Sequence, residues 1–272
     1  MDKQKLYLRL KGGLGNQLFI YAFGVYCKEI LDFDVRFDTF SGYYKDKYGS
    51  KPALSEIGLK FNQTSIIENI KLILSIKGLY KSINYINVDR KKTELKFQEF
   101  NKDKSLFLEG YFQDMSFLKK INYKVLKEIN LDKYNTYLIL KNLNFQESIC
   151  IHHRIEFYNH EIDVKFFKKS FEKIENLINI PNPKYFVFSD SIDLSKEYFG
   201  SHFKHKNFHF VEGKTDLEDL KAMSNFKNFI LTIGTFGIWA SLLSQKKNKI
   251  ILRPERNVLN DSAYPESYFK IS

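Results

Sequence analysis

Short apolar runs ending in polar or glycine-rich clusters alternate along this chain with longer segments whose apolar positions recur every three or four residues. The first run, "KLYLRL", predicts a strand over Leu6–Leu10, and "KGGLGNQLFIYAFG" (Lys11 to Gly24) follows it directly. From about Asn16 to Leu31 the pattern turns helical: Leu18, Ala22 and Val25 share a stripe, with Phe19, Phe23, Tyr26 and Ile30 beside it. "DVRFDT" predicts a second strand, and "SLFLEGYF" another, buried one. Between them "SIIENIKLILSIKGLYKSI" reads as a helix with Ile66, Ile67, Ile70, Ile73 and Leu74 at helical spacing. Lysine-rich helical patterns fill Met115 to Asn142.

The second half is more sharply punctuated. "SICIHHR" predicts a strand ending in a polar cluster, and "VKFFKKSFEKIENLINI" a helix with Phe167, Phe171, Ile174 and Ile178 on one side. Strand "PNPKYFVFSD", helix "DLEDLKAMSNF", strand "NFILTIG", helix "TFGIWASLLS" and strand "KIILR" complete the pattern. Strands alternating with helices imply an α/β fold whose parallel sheets are covered on both faces. Two such units are expected, residues 1–146 and 147–272. Ligands in open α/β sheets bind beyond the carboxyl ends of strands, where "HHR", "SD" and "GT" fall.

At 272 residues and 43% hydrophobic, the chain is long enough for two such cores. Cys27 and Cys150 are far apart in sequence and in apolar surroundings, so they read as buried thiols in a reducing compartment. No apolar run approaches the roughly 20 residues that span a bilayer, and the N-terminus carries no signal-peptide pattern, so a cytoplasmic location is expected. The net charge of +11 favours phosphate-bearing partners in general. A nucleic-acid binder is disfavoured, because the lysines are not gathered on one helix and no RNA-binding signature appears.

Gly12, Gly13 and Gly15 precede a helix, which suits either a tight strand-to-helix turn or an anion cradle at a helix N-terminus. The spacing is neither G-x-G-x-x-G nor a Walker loop. In "IHHRIEFYNH", Arg154 offers a planar fork for a diphosphate, while His152, His153 and Glu156 are candidate donors or bases. By the period-two rule His152 and Arg154 share a strand face and His153 points the other way. Ser189 and Asp190 end another strand, where the carboxylate suits a guanine edge or ribose, or a helix cap. Gly234 and Thr235 open a helix, as an anion site or a plain cap. "EGYFQ" (Glu109 to Gln113) suits a cleft rim, and no metal-ligand spacing is evident.

Taken together, "GGLGNQLFIYAFG", "EGYFQ", "HHR", "YFVFSDSID" and "DLEDLKAMSNFKNFILTIGTFGIWASLL" resemble, in order, glycosyltransferase family 11, the α-1,2-fucosyltransferases. Departures are Ile155 and Phe157 where the family's central motif has an arginine and an acid, Ser191 where a second acid is common, and "GTFGIW" in place of S-T-F-S-W-W. The resemblance implies a GT-B-like fold, two Rossmann-like α/β domains facing across a cleft. The N-terminal domain would take the acceptor and the C-terminal domain the GDP-sugar. It further implies inverting, metal-independent and cofactor-free transfer of L-fucose from GDP-β-L-fucose to the 2-hydroxyl of a galactose-type acceptor in bacterial surface polysaccharide synthesis. Transfer from another GDP-sugar, or an inactive relative that only binds, is the alternative. On this resemblance Gly13, Gly15, Asn16, His152, Arg154, Ser189, Asp190, Gly234, Thr235 and Phe236 bind the donor, and Tyr111 and Gln113 face the acceptor. Arg154, His153 and Glu156 carry the chemistry, with Glu161 and Asp163 as further candidate bases. The partners implied are a GDP-sugar and an oligosaccharide or lipid-linked glycan, with no nucleic acid. The basic surface adds peripheral contact with the inner membrane face as an expectation.

Overall fold

The computed structural model describes residues 3–44, 49–88, 97, 100–135, 137–141, 143–145, 147–156, 164–255, 264 and 267–271. They form two compact units, Met1–Asn130 and Leu131–Ser272. The first unit runs β1 (Lys5–Arg9), α1 (Leu14–Glu29), β2 (Asp34–Asp38), a 3-10 turn at Leu54–Ile57, α2 (Ile66–Ile76), β3 (Ile83–Asn87), β4 (Ser105–Glu109), α3 (Met115–Lys120) and α4 (Lys124–Glu128). Its strands are all parallel, in the order β2-β1-β4-β3. Leu6, Tyr7 and Leu8 are buried on both faces of β1, as a central parallel strand requires.

Helix α1 begins at Leu14 rather than Asn16, because extended Gly13 caps it and its carbonyl accepts the N–H groups of Asn16 and Gln17. Helix α2 opens with a capping box: the Ser65 hydroxyl accepts Glu68 N–H, and the Glu68 carboxylate accepts Ser65 N–H. Its Leu72 packs with Tyr7, Ile83 and Phe107. The periodic isoleucines named from the sequence lie elsewhere on this helix, and Ile66, Ile67 and Ile70 are exposed.

The second unit runs β5 (Ser148–His153), α5 (Val164–Ile178), β6 (Lys184–Ser189), α6 (Ile192–His202), β7 (Asn207–Phe210), α7 (Asp216–Met223), β8 (Asn228–Leu231), α8 (Phe236–Leu243), β9 (Ile250–Pro254) and β10 (Tyr268–Ile271). All six strands are parallel, in the order β10-β9-β8-β5-β6-β7. Renumbered from β5, this is the doubly wound order 3-2-1-4-5-6, whose direction of winding reverses between β5 and β8. One face of the sheet, with Ile149, Ile151, Tyr185 and Val187, packs under α5 and α6 through Phe167, Phe171 and Phe199.

The boundary between units falls at Asn130, not at 146. Described side chains between 131 and 146 pack on the second unit. The Tyr137 hydroxyl donates to Asp219 Oδ1 at 2.7 Å, Lys221 pairs with Asp132 at 3.3 Å, and Phe145 meets Phe226 edge-on. The long lysine-rich helices expected over 115–142 are cut to α3 and α4, since Asn122 and Tyr123 both take positive φ. Both cysteines are buried and unbonded, and burial pushes both thiols well up.

Candidate active site

In the first unit the carboxyl ends of β1 and β4 bring the glycine turn and "EGYFQ" together. Gly12 has φ +73°, and a Cβ there would lie 2.9 Å from the Asn16 amide nitrogen and 3.2 Å from the Tyr111 ring. Only glycine gives Asn16 this approach. The Gln113 amide donates to Asn16 Oδ1 at 2.8 Å, and Lys11 Nζ lies 4.7 Å from the Tyr111 ring centre. Asn16, Tyr111 and Gln113, assigned separately from the sequence, therefore form one cluster. Gly13 and Gly15 lie in the turn and the first turn of α1, where Gly15 is buried.

Gln17, which the sequence did not single out, and Glu109, which opens the "EGYFQ" stretch, hold this turn. Buried Gln17 donates to the carbonyls of Gly12 (3.0 Å) and Lys51 (2.8 Å), and accepts Ala53 N–H at 2.9 Å. Glu109 receives Lys11 at 2.8 Å and both Arg9 and the Tyr85 hydroxyl at 2.6 Å. Burial alone would raise the Glu109 carboxyl, but these three donors outweigh it and hold it down at about 2. Glu109 is thus a fixed counter-charge to the glycine turn, and proton transfer is closed to it at neutral pH.

In the second unit the remaining candidates gather where β5 and β8 separate. His152 is buried opposite Leu231, with its ring centre 5.6 Å from Phe236 at the start of α8. Burial and then the nearby Arg154 charge push its imidazolium down to about 3, so the ring is neutral. Its Nδ1 has no hydrogen-bond partner among the described residues. Gly234, with φ +136°, turns the chain from β8 into α8, and Thr235 is the helix N-cap residue.

Arg154 lies one residue beyond β5 and is fixed at two points. Its N–H donates to Thr232 Oγ1 at 2.9 Å, and that hydroxyl donates in turn to His152 O at 2.9 Å. Its Nε lies 3.3 Å from Asp190 Oδ2. The other oxygen of Asp190 accepts the N–H groups of Ile155 (2.9 Å) and Glu156 (3.3 Å). Asp190 therefore shapes the turn that carries Arg154 and is already occupied with it. Thr232 was missed because a threonine after a strand carries no signal until its partner, on a strand far away in sequence, is known.

Two assignments change. His153, read as a catalytic group, is 2% exposed on the α5–α6 face of the sheet. It is ringed by Phe167, Tyr198 and Phe199, and its Nδ1 lies 3.0 Å from Ser195 Oγ. Burial lowers it to about 4, and among the described residues it sits as a neutral histidine within the core. Ser189, read as a donor contact, bonds His153 O at 2.7 Å and Ser195 Oγ at 2.8 Å, within the same internal network. Both follow from the two-residue period that puts His153 beside Ile149 and Ile151. Glu156 is exposed at the turn, while Phe157, Glu161 and Asp163 lie outside the described residues.

The model of glycosyl transferase family 11 matches residues 5–271. An α-1,2-colitosyltransferase of Escherichia coli is 24% identical, over 97% of each chain. Among solved structures, Arabidopsis thaliana FUT1 in complex with GDP superposes with a TM-score of 0.54 at 12% identity, covering 96% of this chain and 73% of that one. The α-1,6-fucosyltransferase NodZ co-crystallised with GDP gives 0.53 at 14% identity, over 89% and 93%. These likenesses give the fold, which is GT-B-like, with two Rossmann-like α/β units. With the family model spanning both units, the chain belongs to glycosyltransferase family 11.

Proposed function

We propose that the chain transfers L-fucose from GDP-β-L-fucose to the 2-hydroxyl of a galactose-type acceptor, with inversion to an α-linkage. The observation that carries this is Arg154, fixed by Thr232 and Asp190 at the reversal of a doubly wound sheet in a family 11 chain. Departure of GDP leaves negative charge on the diphosphate as positive charge builds on the sugar, and a preorganised guanidinium stabilises the former throughout. Gly234, Thr235 and the N-terminus of α8 add backbone donors and a positive helix end. Neutral His152 and Phe236 line the nucleoside side. Arg154 and the helix end do the work that a divalent ion does in other transferases, and no cofactor is invoked.

In the first unit Asn16 and the glycine turn take the diphosphate side, and Tyr111 and Gln113 face the acceptor. The acceptor proton leaves to Glu156, Glu161 or Asp163. The α-1,6-fucosyltransferase NodZ, whose crystals were soaked with GDP-fucose, shares the fold and supports a GDP-sugar donor. One observation favours a second donor: the E. coli relative, matched over 97% of its length, is a colitosyltransferase. Mass-spectrometric screening of GDP-sugars with lactose and N-acetyllactosamine separates the two readings. Arg154→Ala is expected to abolish transfer from whichever donor works while leaving the thermal midpoint nearly unchanged. Turnover close to wild type in that variant refutes the diphosphate assignment.

A further inference from the structure

Helix α2 carries its strongest apolar periodicity on the side away from its own sheet. At 100° per residue, Ile66, Ile67, Ile70 and Ile73 fall within an arc of about 120°, with Leu74 inside it. Ile66, Ile67 and Ile70 are 79%, 66% and 55% exposed, and Leu79 just beyond the helix is 70% exposed. The opposite side of the helix is already satisfied by Leu72 against Tyr7, Ile83 and Phe107. Contiguous exposed isoleucines of this kind mark an interaction surface.

The charges around the patch identify the partner. From Ser65 to Lys81 the cations are Lys71, Lys77 and Lys81 and the one acid is Glu68. Glu68 is held inward by Arg36 at 3.0 Å, the Tyr7 hydroxyl at 3.1 Å and Ser65 N–H at 2.8 Å. Lys71 lies over the Tyr80 ring, and Lys77 and Lys81 are exposed at the end where Leu79 protrudes. An apolar stripe whose outward charges, from Ser65 to Lys81, are all cations matches an anionic bilayer, into which isoleucines sink while lysines stay at the headgroups. A twofold contact with the two helices parallel would set these lysines against one another.

We propose that the Ile66–Ile67–Ile70–Leu79 face, with Lys71, Lys77 and Lys81, docks this chain onto an anionic lipid surface. The face uses no residue of the donor or acceptor clusters, so the proposal stands or falls without the fucosyl assignment. The test is co-sedimentation of the full chain, without substrate, with phosphatidylcholine vesicles and with equimolar phosphatidylcholine–phosphatidylglycerol vesicles. Binding is expected to the anionic vesicles alone, and to fall in high salt, where screening shortens the reach of each charge. Lys77→Gln/Lys81→Gln is expected to weaken it on the order of thirtyfold at low ionic strength. Ile66→Ser/Ile70→Ser is expected to weaken it on the order of a hundredfold. Circular dichroism and the thermal midpoint of both variants check the fold, which exposed positions should leave intact. Equal binding by the variants, equal binding to neutral vesicles, or no vesicle binding overturns the proposal. So does self-association by light scattering that Ile66→Ser/Ile70→Ser abolishes in a chain that ignores vesicles.

Discussion

Replacing Thr232 by valine tests how the site holds its arginine. The side chain is 1% exposed and its hydroxyl makes two bonds of 2.9 Å, one from Arg154 N–H and one to His152 O. Valine fills nearly the same volume, so no cavity opens, and the change is confined to hydrogen bonding. His152 O keeps a donor, because Thr232 N–H reaches it at 3.1 Å. Arg154 N–H loses its acceptor, and a buried donor left unsatisfied costs about 1–3 kcal/mol. At about 2–4 °C per kcal/mol for a domain of this size, the midpoint should fall by several degrees. The turn relaxes to find another acceptor and carries the guanidinium with it. A displacement of about 1 Å at a positioning group costs on the order of a hundredfold in turnover. Thr232→Ser keeps the hydroxyl and should recover most of both losses. Thermal unfolding, GDP affinity and steady-state kinetics on the three proteins decide the matter. Valine behaving as wild type, or serine proving as damaging as valine, refutes the reasoning.

Three further outcomes are expected. Gly234→Ala puts a side chain at φ +136°, where the space is open but the backbone is not; the cost is on the order of 1–3 kcal/mol in denaturant titration, with weakened GDP binding. Glu109 is depressed from 4.5 to about 2, so its contribution is present above the upper value and lost as pH falls toward the lower; Glu109→Gln should flatten stability across that window. Asp219 is the reverse: burial, followed by nearby Asp216 and Glu218, raises it from 3.8 to about 6, against the bond from Tyr137. Stability therefore falls as pH rises from 3.8 through about 6, and Asp219→Asn, which keeps an acceptor for Tyr137, should remove that slope.

The alternation of strands and helices was legible because parallel strands buried on both faces leave short apolar runs with polar ends. Those ends located His152, Arg154, Asp190 and Gly234 correctly at the carboxyl edge of the second sheet. Periodicity also separated His152 from His153, although which of the two faces was core depended on α5 and α6 covering Ile149 and Ile151. The stripe on α2 shows the limit of such reading. A period of 3.6 marks an apolar side of a helix but carries no information on what covers it. Asp190 and Thr232 were opaque for a related reason. Each takes its role from backbone N–H groups on another strand's end, and only strand order brings those within reach.

That same strand order sets a schedule for synthesis. Arg154 and its acceptor Thr232 are 78 residues apart, which a ribosome needs roughly 4–16 s to translate. From the completion of β6 until β8 emerges, β5 has β6 on one side and an unpaired edge on the other, an open template for pairing with another chain. Arrival of β8 closes the edge and seats the arginine in one event. A chain terminated before Asn228 therefore lacks the seat for its arginine and keeps an open strand edge, and is expected to be both inert and prone to associate.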